Sequence, residues 1–330
     1  MFEKYFGSEK SDLGQEVKQT KDGGYIIVGY TYKRSGFSDL WLVKTDKYGE
    51  VEWDKIFGGN NVDDGVNVEE TPDGGYSVLG TTSSFGNGSS DIWLIKTDSQ
   101  GNEEWSKTFG YQYSDRGFSF KLTADGGYII TGGTSVNTKD GNWNIWMIKT
   151  DAVGNEEWNQ IFPSEIGGAG RHVVQTTDHG FILLGTQSVY SPLGTSIPII
   201  IKTDQNGNKE WETIIEGDGL PRGQVIKETR HGDFVVIGSK RSPNLYRDIW
   251  ILKIDSKGQE LWQKTLGGSK NDIGWDLDIT KNGDYILLGQ TNSYGAGHID
   301  AWLFKTNSNG DVACREPMVG QNLTLVNQYK

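Results

Sequence analysis

Short apolar runs separated by Gly- and Asp-rich turns follow one another along the chain. The runs YIIVGYT (25–31) and DLWLVKTD (39–46) consist mainly of β-branched, aromatic and aliphatic residues, which favour strands. KDGG (21–24), before the first run, contains the Asp-Gly and Gly-Gly pairs that suit tight hairpins. No segment keeps a helical period over about 12 positions. The pattern therefore predicts an all-β fold.

One phrase with a central lysine recurs along the chain. It reads DLWLVKTD, DIWLIKTD, NIWMIKTD, IPIIIKTD, DIWILKID and DAWLFKTN, and its lysines are Lys44, Lys96, Lys149, Lys202, Lys253 and Lys305. Successive lysines differ by 52, 53, 53, 51 and 52 positions. Each repeat reads as four short strands, a to d, and a radial array of such units is the propeller plan. The sequence predicts a six-bladed β-propeller with four antiparallel strands per blade.

The sixth repeat lacks a good strand d, and a match to that strand occurs at the other end of the chain. DVACREPMVG (311–320) has cysteine at the tryptophan position and contains a proline, which weakens a ladder strand. FEKYFGS (2–8) matches WDKIFGG (53–59), with Phe2 at the tryptophan position. We predict that residues 2–7 pair in the last blade as its outer strand, which closes the ring.

Two sets of tryptophans recur with the repeat. Those of strand c are Trp41, Trp93, Trp146, Trp250 and Trp302, and those of strand d are Trp53, Trp105, Trp158, Trp211 and Trp262. An aromatic binding box is one interpretation of the strand d set. The structural interpretation is that each of these residues docks between neighbouring blades and braces a turn. A function performed once does not need a residue in every blade, so we predict the structural role for both sets.

The motif T-D-x-x-G-x-x-x-W-x-x-x-x-G of residues 97–110 resembles the tryptophan-docking repeat of pyrroloquinoline-quinone (PQQ) type propellers. It is also similar to tandem repeats of uncharacterised secreted proteins and lipoproteins of bacteria and archaea. The resemblance covers residues 2–313 and implies a propeller. Quinoprotein dehydrogenases of this group have eight blades and an adjacent cysteine pair over the cofactor, whereas this chain has only Cys314. Other relatives with this repeat are non-catalytic assembly scaffolds.

Charge and composition limit the partners. The net charge is −12 and the isoelectric point is about 4.9, so the surface repels nucleic acid. One cysteine allows no internal disulfide, and no apolar run reaches the length of about 18 residues that indicates a membrane span. We expect one propeller over residues 1–317 and a tail over 318–330. We expect a monomer, or one domain of a larger protein.

The start of the chain, MFEKYFG, lacks a signal-peptide pattern. We nevertheless expect an extracellular or cell-surface location, because the resemblance is to secreted proteins, with a cytoplasmic location as the alternative.

The loops between strands b and c vary most and are rich in Ser, Gly and Asn, with aromatic residues at Tyr32, Phe37, Phe85, Trp143, Tyr190, Tyr246 and Tyr294. Variable loops on a rigid scaffold often carry binding sites. Aromatic faces beside hydroxyl and amide groups suit sugar rings. The alternative is that these aromatics pack into neighbouring blades. Our candidates for ligand contact are Trp143, Tyr190, Tyr246 and Tyr294.

Further candidates break the repeat near the expected mouth of the channel, on the segments between strands d and a. They are Arg116, Arg171, His172, Arg222, Trp275 and Asp276. A mouth lined by arginine, tryptophan and acids suits a small polar or acidic ligand. Ordinary drift among repeats is the alternative.

Aspartates recur at the ends of the loops, at Asp12, Asp39, Asp63, Asp91, Asp115, Asp248, Asp272 and Asp300. They could ligate calcium, or they could accept backbone N–H bonds at strand ends. Calcium is the only cofactor that we derive from these residues.

Motifs for catalysis are missing from the sequence. The four histidines have no metal-ligand spacing, and no G-x-S-x-G elbow occurs. We expect a non-enzymatic secreted or surface propeller that binds carbohydrate or protein on the face of the b–c and d–a loops. The alternative is a glycan-active hydrolase or lyase that uses carboxylates at the channel mouth. A quinone-dependent dehydrogenase is the third hypothesis.

Overall fold

The computed structural model describes residues 2–33, 36–136, 142–164, 167–188 and 196–312. These residues form β-strands and no helix, so none of them belongs to a helix that could cross a membrane. The first two blades contain β1 (Asp12–Gln19), β2 (Tyr25–Thr31), β3 (Asp39–Thr45), β4 (Val51–Phe57), β5 (Asp63–Glu70), β6 (Tyr76–Thr82), β7 (Asp91–Thr97) and β8 (Glu103–Phe109). The third and fourth contain β9 (Asp115–Leu122), β10 (Tyr128–Thr134), β11 (Asn144–Thr150), β12 (Glu156–Phe162), β13 (Gly168–Gln175), β14 (Phe181–Ser188), β15 (Ser196–Thr203) and β16 (Lys209–Ile214). The last two contain β17 (Arg222–Glu228), β18 (Phe234–Arg241), β19 (Arg247–Ile254), β20 (Glu260–Leu266), β21 (Asp272–Ile279), β22 (Tyr285–Thr291) and β23 (Asp300–Thr306).

The strands of each blade form one antiparallel sheet in chain order. Five of these sheets have four strands, and the last has three, β21 to β23. The prediction of a six-bladed β-propeller is thereby confirmed. The chain divides into two compact units, of which the first ends at Ile214 and the second begins at Ile215. The first unit holds the first four blades, and the second unit holds the last two.

Apolar cores lie between neighbouring blades. Ile26, Val28 and Leu42 of the first blade form one buried cluster with Val78 and Ile95 of the second. Similar clusters join the second blade to the third, the third to the fourth, and the fifth to the sixth. This packing explains why strands such as β3 and β7 are buried along their whole length. The last blade is less covered, and alternate residues of β23 are exposed.

Four of the five strand d tryptophans dock between blades of one unit, as predicted. The Trp53 ring lies edge-on to Tyr76 of the next blade, with ring centroids 5.7 Å apart. It also covers Gly101, where an added Cβ would lie 2.6 Å from the ring. Gly101 has a φ of +74°, so its c–d turn needs glycine for both conformation and space. The equivalent pairs are Trp105 with Gly154, Trp158 with Gly207, and Trp262 with Gly310.

The strand c tryptophans are also structural. The Nε1 atoms of Trp41, Trp146 and Trp250 donate hydrogen bonds of 3.0, 3.1 and 3.1 Å to side chains on the adjacent strand d. Their acceptors are Asp54, Asn159 and Gln263.

The segment before β1 differs in part from its prediction. Phe2 takes the docking position, because its ring lies 5.7 Å from that of Tyr25 and covers Gly49 as Trp53 covers Gly101. Lys4 forms an ion pair with Glu50. However, residues 2–8 form no strand, and the last sheet has three strands within the described residues. The expected outer strand is therefore corrected to a segment held on the first blade by side chains.

The repeated lysine is buried and paired with acids. In the first blade the Lys44 side chain is 3% exposed, and its Nζ lies 2.8 Å from both Asp22 and Glu52. It also donates a 2.9 Å hydrogen bond to the backbone carbonyl of Thr45. The arrangement recurs in the next three blades with Lys96, Lys149 and Lys202. The lysine thus links the a–b turn to strand d within each blade.

This pairing predicts a pH-dependent contribution to stability. The hydrogen bond from Lys44 lowers the pKa of Asp22 from its ordinary value of 3.8 to about 2. A carboxyl group whose pKa is lower in the folded state stabilises that state above its unfolded pKa and loses the effect as pH falls through the folded pKa. We expect Asp22→Asn to lower the melting temperature at pH 6 and to have almost no effect at pH 2. Glu9→Gln, at an exposed site, is the control, and an Asp22→Asn penalty independent of pH would contradict the pairing.

Candidate functional site

A β-bulge occurs at one position of the first strand in every blade. The residue that follows the D-x-G step, or the equivalent position, has no pairing partner on the second strand. The six unpaired residues are Gln15, Val66, Phe118, Arg171, Gln224 and Trp275. A bulge bends its strand and re-aims a side chain, and bulges are frequent beside functional sites. Three of the six bulge residues, Phe118, Arg171 and Trp275, are aromatic or cationic.

In the first unit, the bulge residues Phe118 and Arg171 belong to a continuous stack of four side chains. The other two members are the predicted site residues Arg116 and Trp143. The guanidinium carbon of Arg116 lies 5.7 Å from the Trp143 ring centroid. The Trp143 and Phe118 centroids are 6.0 Å apart, with 39° between the ring planes. The guanidinium carbon of Arg171 lies 4.8 Å from the Phe118 centroid. Arg116, Trp143, Phe118 and Arg171 are hereafter the arginine–aromatic stack.

The local sequence of the third blade explains how the stack forms. Gly133 of β10 pairs with Arg116 of β9, and an added Cβ at Gly133 would lie 2.4 Å from the Trp143 ring. Trp143 can therefore lie against the backbone of the blade. The other repeats have side chains at the position of Gly133, namely Tyr30, Thr81, Thr186, Ser239 and Gln290. The extra glycine and the tryptophan in the b–c loop belong to this blade alone.

Exposure and charge suit the stack to a ligand. Both arginines are exposed, while Phe118 and Trp143 are half-buried. Cation–π contacts at such exposed sites are worth about 0.5–1 kcal/mol each, so they help to orient the two guanidinium groups. Within the described residues, Arg116 has no salt bridge. The stack therefore presents the positive charge of Arg116 beside an aromatic surface on a chain of net charge −12.

The lysines on the first strands of the first and third blades form ion pairs, unlike Arg116 within the described residues. Lys18 of β1 and Lys121 of β9 both pair with Glu69 of β5, at 2.5 and 2.6 Å. The fourth blade has Val174 at the equivalent position, so this row of paired charges does not continue onto β13. These ion pairs are half-buried and join three adjacent blades, which indicates a structural role.

His172, another predicted site residue, follows Arg171 on β13 and is half-buried. Tyr190 lies outside the described residues.

The remaining predicted residues belong to the second unit. Trp275 and Asp276 are exposed on β21, where the Trp275 indole donates a 3.1 Å hydrogen bond to Gln290 and Asp276 accepts one of 2.8 Å from the backbone of Leu277. Arg222 begins β17 and is exposed. Tyr246 is exposed in the loop before β19.

Arg222 also acts on a neighbouring guanidinium. Burial, together with the charges of Arg222 and Arg241, lowers the pKa of Arg247 to about 10.

Two of the loop aromatics pack on the strand c tryptophan of their own blade. The Phe85 ring lies 5.2 Å from that of Trp93, and the Tyr294 ring lies 5.1 Å from that of Trp302. The Tyr294 hydroxyl donates a 2.9 Å hydrogen bond to the Gly267 carbonyl. Packing within the blade, the alternative to ligand contact, accounts for these two side chains.

The loop aspartates act as acceptors for the loops. Asp91 accepts hydrogen bonds of 2.8 and 3.1 Å from the backbone N–H groups of Asn87 and Gly88. Asp63 accepts from Gly59 in the same way, at 2.8 Å. Burial, together with the negative charge of Asp115, raises the pKa of Asp91. Over the residues described, no three His, Cys, Asp or Glu side chains form a group that could hold a metal ion.

Sequence reasoning had found three of the four stack residues, and the structure brings them together. Phe118 was missed because a single phenylalanine in a strand reads as core. The signal that identifies it is its position after D-x-G, which Trp275 shares; Arg171 has the equivalent position after G-A-G.

Comparisons with known proteins support the fold. No protein-family model and no curated protein matches the chain. A puromycin hydrolase mutant superposes with a TM-score of 0.57 at 9% identity over 93% of this chain, and this chain spans 47% of that one. The β-propeller domain of the Trilobed protease from Pyrococcus furiosus, described as having an open velcro topology, gives 0.52 at 10% identity over 92% of this chain and 84% of that domain. These neighbours share the propeller fold.

Proposed function

We propose that this propeller is a non-enzymatic binding protein of the cell surface or the extracellular medium, and that it binds carbohydrate at the arginine–aromatic stack. The observation that carries the proposal is the stack itself. Its four side chains come from two adjacent blades and form one series of contacts. Three of them depart from the repeat, so the repeat does not explain their convergence.

The geometry suits a sugar chain. Trp143 and Phe118 present two rings inclined by 39°, which gives a shallow bent platform for the apolar faces of neighbouring sugar rings. Arg116 and Arg171 stand at its two ends, and Arg116 supplies N–H donors for hydroxyl oxygens. Phe118, Arg116 and Arg171 lie on strands, so the platform is held by the rigid part of the blade.

A glycan-active hydrolase is the second candidate, because Asp276 is exposed beside the exposed Trp275. The solved structures similar to this chain also include a puromycin hydrolase and a protease domain. Formation of new reducing ends from a bound polysaccharide, abolished by Asp276→Asn, would favour this candidate.

A glycan array tests the proposed function. We expect the wild-type chain to bind a restricted set of glycans and Gly133→Ala to lose at least tenfold in affinity, because the new methyl group displaces Trp143 without removing any ligand-binding group. Tyr246→Ala is the matched aromatic control and should bind as the wild type does. The same array in the presence of a chelator tests whether glycan binding depends on calcium bound by the loop aspartates. An array without any specific glycan would contradict the proposal and favour a protein partner.

A further inference from the structure

We propose that a cavity between the first two blades binds the acetamido group of an N-acetylated sugar, with the Trp93 indole as its hydrogen-bond donor. This site is separate from the arginine–aromatic stack and does not depend on the proposed function. The cavity has a volume of about 430 Å³, which lies in the usual range of small-ligand pockets.

The cavity combines an apolar wall with a few polar groups. Its lining includes Ile56, Phe57, Phe85, Trp93, Ser106 and Thr108. A pyranose ring has apolar C–H faces and a hydroxylated edge, which match this combination of apolar side chains and hydroxyl groups. A peptide backbone would place further amide groups against the apolar wall, where they would lack partners. The lining therefore favours a sugar.

The indole N–H of Trp93 is a buried donor without a hydrogen-bond partner among the described residues. The Trp93 side chain is 4% exposed, and its ring contact is with Phe85, at 5.2 Å between centroids. The whole lining of the cavity belongs to the described range 36–136. Buried polar groups are nearly always paired in folded proteins, so an unpaired donor beside a cavity indicates an acceptor from outside the chain.

The second blade differs from its neighbours in the acceptor for this indole. In three other blades the corresponding indole donates to a longer side chain of the adjacent strand d, namely Asp54, Asn159 or Gln263. Ser106 occupies this ladder position in the second blade, where it is opposite Ile95. Its Oγ donates a 2.8 Å hydrogen bond to Glu103. The shorter serine leaves the indole unpaired and leaves room beside it.

The third blade shows which chemical group fits between the indole and strand d. There the carbonyl oxygen of the Asn159 carboxamide accepts from the Trp146 indole at 3.1 Å, and its amide nitrogen donates to Glu156 at 2.6 Å. Glu103 begins strand d of the second blade as Glu156 begins that of the third. The carbonyl oxygen of an acetamido group can therefore accept from Trp93, while its N–H donates to Glu103.

The methyl β-glycosides of N-acetylglucosamine and glucose are the matched probes, because they differ only in the acetamido group. The readout is the indole region of the ¹H–¹⁵N spectrum, in which Trp93→Phe identifies the Trp93 resonance. We expect the acetamido glycoside to shift this resonance with a dissociation constant of about 1 mM, the range of a small ligand held by few hydrogen bonds, and the glucoside to bind at least tenfold more weakly. Binding this weak escapes a glycan array, so the test is independent of that of the stack.

Ser106→Asn supplies the carboxamide from the protein itself. It should shift the Trp93 resonance without ligand, retain or raise the melting temperature, and abolish the response to the acetamido glycoside. Ser106→Ala, which adds no acceptor, and Gly133→Ala, which alters the stack, should both retain the response.

Three results would overturn the site: no shift of the Trp93 resonance at about 20 mM acetamido glycoside, equal binding of the glucoside, or an unchanged response in Ser106→Asn. N-acetylglycine N-methylamide carries the amide without the sugar ring. Binding of this probe as tight as that of the acetamido glycoside would overturn the sugar as the ligand and assign the cavity to a peptide.

Discussion

Replacing Trp105 with alanine is expected to lower the free energy of unfolding by about 3 kcal/mol, the low end of the cost of truncating a core tryptophan, because the side chain is half-buried against the core. The Trp105 ring meets Tyr128 of the next blade at 5.9 Å and covers Gly154. Its loss leaves a cavity between two blades at the point where the c–d turn is braced. Urea denaturation followed by circular dichroism measures the change. Tyr113→Ala, at an exposed loop site, is the control and should change stability by about 0.5 kcal/mol or less.

The partner of this contact allows a sharper test. Gly154 has a φ of +76°, and an added Cβ would lie 2.6 Å from the Trp105 ring, so Gly154→Ala is strained in the backbone and clashes with the ring. Removing the ring relieves the clash and leaves the backbone strain. The double variant should therefore be more stable than the sum of the two single effects predicts. Strict additivity, or a Trp105→Ala effect below about 1 kcal/mol, would contradict interblade docking.

Deleting residues 1–8 is expected to lower the free energy of unfolding by about 2–3 kcal/mol, estimated from the loss of one partly exposed aromatic ring and its surrounding contacts. Phe2 is 46% exposed and covers Tyr25 and Gly49 of the first blade. The deletion also removes the backbone N–H of Ser8 that donates a hydrogen bond to Asp12. Thermal melting of the shortened chain measures the effect.

Phe2→Trp is the matched variant, because it restores the residue that the repeat has at this position. It should melt at or above the temperature of the wild-type chain. A shortened chain with an unchanged melting temperature would show that the first blade does not depend on this segment.

The repeat made the architecture predictable. The recurring lysine phrase and the turn glycines such as Gly101 determine strand number and order, because each hairpin depends on local residues. The docking of Trp53 followed from its recurrence four residues after a turn glycine, and the position of Phe2 followed from the match of 2–8 to 53–59. The N-terminal strand was predicted on similarity to 53–59 alone. Backbone pairing also depends on where the segment lies, and similarity of side chains does not determine that.

The site was predictable only in part. Arg116 and Arg171 were identified because they depart from the repeat, and Trp143 was identified as an aromatic residue of a variable b–c loop. Their convergence depends on the bulge at Phe118 and on the missing side chain at Gly133. A bulge shifts the register by one residue, and its effect on side-chain direction is visible only in three dimensions.

The most direct test of the account is calorimetric titration of the saccharide selected by the glycan array into the wild-type chain and into Trp143→Ala. We predict one ligand per chain for the wild type and at least a tenfold weaker affinity for the variant at an equal melting temperature. The reason is that Trp143 joins Arg116 to Phe118 and contributes half of the aromatic platform. An unchanged affinity in the folded Trp143→Ala variant would show that the saccharide binds elsewhere, and it would contradict the assignment of the arginine–aromatic stack as the binding site.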